Sequence, residues 1–150
     1  MRTPTLLLVV GAALVACSTQ PAPETTPAPV SSSPARRIAT MSELMVDILY
    51  PAGDAVFYIE TRTPTDSDGW AQLQLQTLAL AETANLLMMP GRARDQDQWM
   101  ADAELMLEAG EAAYRAAKDR DVEALVALND ALYVSCLTCH EHYRPGYGRQ

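Results

Sequence analysis

The chain has 150 residues, 49% of them hydrophobic, 20% charged and 6% aromatic, with a formal net charge of −8. Residues 38–150 hold 18 of the 19 acids but only eight of the 11 bases, which argues against nucleic acid as a partner and leaves an acidic surface suited to basic partner proteins. With the ends discounted, about 110 residues remain, enough for one domain with one core, and the abundance of Ala, Leu, Met, Glu, Asp and Gln favours an all-α fold.

Residues 1–16 carry one Arg near the start, then the apolar run Leu6 to Ala16. That run is too short for a mature transmembrane helix and reads as a secretory signal peptide. Its end, Leu14-Val15-Ala16-Cys17, resembles the bacterial lipobox, and the resemblance implies that cleavage leaves Cys17 as a lipidated first residue. An ordinary signal peptide with an incidental cysteine is the alternative. Acyl chains bury methylenes at about 0.8 kcal/mol each, so such an anchor holds a soluble domain on a membrane. Ser18 after the cysteine favours, by the same resemblance, the outer membrane. Residues 17–38 form a tether: residues 18–37 hold five of the ten prolines among Ser, Thr and Ala, a composition that gives a semi-stiff extended spacer rather than a core.

The remainder, residues 39–150, divides into four amphipathic segments. From Ala39 to Tyr50, Met41, Leu44, Met45, Ile48 and Leu49 recur at three and four, with Ser42 or Thr40 as cap. Pro51 interrupts this stripe, yet Ala55, Val56 and Ile59 continue it, so a kinked helix or two short ones are expected. The second segment, Trp70 to Met89, is capped by Asp68 and stopped by Pro90-Gly91. The third, Gln96 to Lys118, turns Trp99, Ala103, Met106, Gly110, Ala113 and Tyr114 to one side, with Asp95 and Asp97 at its positive end. The fourth follows Asp121 through Leu125, Leu132, Cys136, Cys139, His140 and Tyr143 to Pro145-Gly146. Four segments with short connections predict an antiparallel four-helix bundle, whose interior commonly houses cofactors.

Cys136-Leu-Thr-Cys139-His140 is the attachment signature of c-type haem. Two thiols add across the porphyrin vinyl groups, and on a helix Cys136 and His140 stand one turn apart with Cys139 beside them, so the imidazole can face the iron. Export fits, since haem of this type is attached outside the cytoplasm. Two other readings stay open: zinc held by Cys136, Cys139, His140 and His142, disfavoured because neighbouring helical positions do not readily close a tetrahedron, and a disulfide between the cysteines.

An attachment run near the end of a four-helix bundle resembles the class II c-type cytochromes, the cytochrome c′ group and its low-spin relatives, over residues 38–147. The most specific part is Cys136 to Arg144, which matches the family's CxxCHxxYR ending. The resemblance implies one covalent haem c with His140 as axial ligand. It places a first-helix residue opposite, apolar in five-coordinate members and Met in electron carriers; Met45 matches that position and Met41 competes. A thioether ligand raises the potential relative to bis-histidine ligation. Arg144 is implied to lie on the haem side near a propionate, or else is a surface Arg. Tyr143, with Trp70 or Trp99, walls the haem or packs the core. His142, two residues from His140, turns away by about 200° and is expected at the surface. The family's basic residue near the start of the first helix has no clear counterpart, as Arg36 and Arg37 fall at the tether's edge.

The leading expectation is thus a mono-haem carrier on the periplasmic face of a bacterial membrane, passing electrons between redox partner proteins with no substrate chemistry of its own, either alone or as a homodimer. The alternatives are a five-coordinate haem protein binding nitric oxide or carbon monoxide, and a non-haem lipoprotein interaction module with zinc or a disulfide at the cysteines.

Overall fold

A computed structural model describes residues 35–144 and 146; the signal peptide, Cys17 and nearly all of the tether lie outside them. The described residues are all-α, with no strand among them. The first rod begins at Thr40, whose hydroxyl accepts from the Glu43 amide while the Glu43 carboxylate reaches back to the Thr40 amide, a reciprocal cap that fixes where the helix starts. It continues as α1 (Met41–Glu43), a π-helical stretch (Leu44–Leu49) and α2 (Tyr50–Phe57).

Pro51 explains the π turn. Proline cannot donate to a carbonyl four residues back, and a widened turn absorbs the mismatch without breaking the rod. The Tyr50 amide accordingly reaches the carbonyl of Met45, five residues back. The segment is therefore continuous rather than two separate short helices, with a local register change in the stretch that carries Met45.

Helix α3 (Ser67–Met88) starts earlier than the apolar pattern suggests, and its cap is Asp66, not Asp68: the Asp66 carboxylate accepts from the Gly69 amide at 2.8 Å. Pro90 and Gly91, the latter at φ +80°, end it as its sequence predicts. Helix α4 (Gln98–Asp119) is held at its start by Asp95, whose Oδ1 accepts from the amides of Asp97 and Trp99; Asp97 makes no side-chain cap. Asp121 caps α5 (Val122–Ala127) through the Ala124 amide. A tightened turn at Leu128 then separates α5 from α6 (Asn129–Tyr143), where the periodicity alone suggests one helix.

The α3–α4 interface is the most extensive, followed by α4–α6, and the first rod packs on α3. Leu44, Val56, Ile59, Leu80, Leu125 and Leu132 are buried at its centre. Gly110 lets α4 approach α3 backbone to backbone, because a Cβ there would lie 2.8 Å from both N and Cα of Ala81.

Candidate cofactor site

One face of α6 carries Cys136, Cys139 and His140, all half-buried. The three border one cavity of about 600 Å³, within the size range of cofactor sites. Its walls come from every rod: Met45, Leu49 and Phe57 from the first, Leu80 and Leu87 from α3, Asp102, Ala103 and Met106 from α4, and Leu132 and Ser135 from α6. Val46, Tyr50, Tyr58 and Tyr133 form an exposed apolar rim. A smaller adjoining cavity, about 340 Å³, brings Met41 and Met45 together with Cys139, His140, Tyr143 and Arg144. Residues 122–143 are long and apolar enough to cross a membrane by length and composition; here that apolar character borders the cavity and packs on α4.

Burial tunes the three groups in one direction, toward their neutral forms. Desolvation pushes the Cys136 thiol up. It also raises Cys139, to about 11, with the Asp102 carboxylate and Cys136 adding and Arg94 partly offsetting. His140 is lowered, first by desolvation and then by the Arg144 cation. At neutral pH the site therefore presents two protonated thiols and a neutral imidazole, the form in which histidine ligates metals. Both cysteines are free thiols.

The end of α6 is fastened to α4 at two points. The Tyr143 hydroxyl donates to Asp95 Oδ2, and its ring meets Trp99 edge-on with centroids 4.8 Å apart. The Trp99 indole in turn donates to the Leu87 carbonyl at 2.9 Å. Desolvation and the Asp95 carboxylate push the Tyr143 phenol up to about 12, so it stays a donor, while Tyr143 and the Trp99 amide hold Asp95 low. The second fastening adds a partner to His142, which is exposed as expected: its Nδ1 lies 2.7 Å from Oδ2 of Asp102, which is 1% exposed. Gln98 donates to the other oxygen of Asp102 at 2.8 Å. His142 does turn away from the cavity side of α6, but that side faces α4.

Sequence reasoning thus assembled Cys136, Cys139, His140, Met45, Met41, Tyr143 and Arg144, and these line the two adjoining cavities together. It passed over Asp102. The available signal was an acid three residues after Trp99 and one before Ala103, on an otherwise apolar stripe, where a carboxylate requires a partner. Arg37, expected at the tether's edge, donates to the Gly91 carbonyl at 2.6 Å and so ties the approach to α1 onto the α3–α4 loop. No family model, curated protein or solved structure matches this chain.

Proposed function

We propose that the chain is a mono-haem c-type cytochrome of class II type, an antiparallel four-helix bundle that carries electrons between redox partner proteins. The observation that supports this best is the convergence of Cys136, Cys139 and His140 on one largely apolar cavity that Met45 also lines. The residues fit the group. Cys136 and Cys139 would hold it by thioethers, and the neutral His140 would supply the proximal nitrogen. Met45 would supply a sulfur from the π-helical stretch, a local distortion that often marks functional positions. Arg144, which borders both cavities, would offer a cation to a propionate. The bound haem supplies a one-electron couple at its iron.

The chain's own part is to bind, orient and exclude water. Leu49, Phe57, Leu80, Leu87 and Met106 exclude solvent from the cavity, which favours the less charged, reduced state of a buried iron centre. The Asp95–Tyr143 and Asp102–His142 contacts fix the last turn of α6, and with it the direction of His140. The N-terminal pattern completes the reading: a signal peptide, Cys17 lipidated in the outer membrane, and a Pro-rich spacer presenting the domain to the periplasm.

The test is an optical spectrum of protein made with c-type maturation machinery, oxidised and reduced, with and without carbon monoxide. Sharp reduced bands indifferent to carbon monoxide are expected, together with haem staining that survives denaturing electrophoresis. Met45→Ala should convert the spectrum to high-spin and open it to carbon monoxide; a wild-type protein already high-spin and carbon monoxide-reactive makes Met45 a packing residue and the protein a gas binder. Absence of covalent haem ends both readings.

A further inference from the structure

We propose that Arg37, Arg92 and Arg94 form a binding site for a phosphate-type oxyanion where the Pro-rich segment joins the helical domain. The three arginines line a cavity of about 650 Å³ whose remaining wall, including Thr40, Met41 and Gly91, carries no charge. In a chain with 19 acids and 11 bases, three guanidinium groups gathered without one carboxylate in the wall run against the composition.

Arg92 is the centre of the argument. It is 8% exposed; its Nη2 donates to the Ala39 carbonyl at 2.9 Å, and its Nε is buried with no hydrogen-bond partner among the described residues. No ion pair among the described residues includes Arg37, Arg92 or Arg94. A buried guanidinium left to one backbone carbonyl bears a desolvation cost that an anion relieves. Two of the carboxylates nearby in sequence are committed elsewhere, and neither they nor Asp97 line the cavity. Glu43 binds the Thr40 amide and hydroxyl, and Asp95 binds Tyr143 and the start of α4.

The other two arginines stand ready at the same opening. Arg37 spends one nitrogen on the Gly91 carbonyl, and Arg94 lies exposed over the Trp99 ring at 5.9 Å. Guanidinium forks match the paired oxygens of phosphate, and several of them enclose more charge than one carboxylate needs. The phosphate has two possible sources. Cys17 lies only 20 residues before Arg37, within reach of a phospholipid headgroup if that cysteine is lipidated; free inorganic phosphate is the other. The site does not depend on the haem assignment.

Calorimetric titration of the full chain in detergent, at fixed ionic strength and with and without haem, tests it. The probes are inorganic phosphate and glycerophosphoglycerol, the water-soluble headgroup of phosphatidylglycerol. Saturable one-to-one binding is expected, weakened about tenfold by R92Q and by R94Q, as befits the loss of one charge-assisted contact. R94Q alters an exposed side chain, so it remains informative if R92Q disturbs folding. Tighter binding of inorganic phosphate assigns a free ligand, and tighter binding of glycerophosphoglycerol assigns a headgroup. Unsaturable uptake, or saturable binding indifferent to both substitutions, overturns the site. Binding by haem-free chain that vanishes on haem loading overturns it as well, by giving the arginines to the haem's own carboxylates.

Discussion

Gly110→Ala reverses the sign that helix chemistry alone would give. In an exposed helix interior, alanine stabilises by about 1 kcal/mol over glycine. In α4 the added methyl would meet the N and Cα of Ala81 at 2.8 Å and its Cβ at 3.2 Å, whereas carbon atoms pack best at about 3.5–4.0 Å. Backbone atoms cannot rotate aside, so α3 and α4 must part by roughly 0.7–1 Å. Because N and Cα of Ala81 are backbone, the cost falls in the upper part of the range for overpacking, about 2–3 kcal/mol, leaving a net destabilisation of about 1–2 kcal/mol after the propensity gain. For a domain of this size that lowers Tm by about 5–10 °C. Thermal unfolding of the full chain followed by circular dichroism is the assay. A variant with unchanged or raised Tm would refute the close approach. Because Leu80 and Leu87 on α3 and Ala103 and Met106 on α4 wall the cavity, the same variant should also loosen the site.

Two further outcomes follow from the site. With Cys139 pushed up to about 11 from an ordinary 9.0, only about 1% of it should be thiolate at pH 9, and Cys139 in haem-free protein, followed by peptide mapping, should react with iodoacetamide roughly fiftyfold more slowly there than in the urea-unfolded chain. The shift favours the protonated form in the fold, so its contribution to stability is complete below pH 9 and is lost as pH rises toward 11, where the unfolded chain releases its proton first; equal alkylation rates, or stability flat through that window, would contradict it. Asp102→Ala should cost about 1–3 kcal/mol in urea unfolding through the bonds lost from Gln98 and His142, and His142→Ala combined with it should be less than additive; strict additivity would mean that the contact does not form.

The helical content, the cap at Thr40, the stop at Pro90-Gly91 and the position of Cys136, Cys139 and His140 on a core-facing stripe were all legible, because each rests on local chemistry. What escaped depends on neighbours. Periodicity locates Pro51 but does not say whether a helix breaks, kinks or widens there; the packing of Leu44 and Leu49 into the core keeps the rod continuous, and the π turn is what remains. His142 was assigned to the surface from its angle to His140 and is exposed there, but that angle does not reveal that Asp102 on α4 stands within hydrogen-bond distance. Asp66 was overlooked for Asp68 because the apolar pattern starts at Trp70, one turn after the true cap.

The direction of the titration shifts bears on which chemistry the cysteine run serves. Structural zinc takes thiolates, and reactive dithiols lower a thiol's pKa with nearby cations or a helix N-terminus. Cys136, at the middle of α6, and Cys139, one turn from its end, stand instead in an apolar cavity and, for Cys139, under the field of Asp102, which resist the thiolate. His140 is driven the other way, to the neutral imidazole that a metal requires. A site that disfavours charge on all three groups suits products that are themselves uncharged, two thioethers and one nitrogen–iron bond. It suits zinc poorly: two thiolates would have to be generated where burial disfavours them, with one neutral imidazole beside them. Metal analysis of protein made without haem discriminates directly, since stoichiometric zinc bound through Cys136 and Cys139 would mean that the metal overcomes these shifts and that the haem reading is wrong.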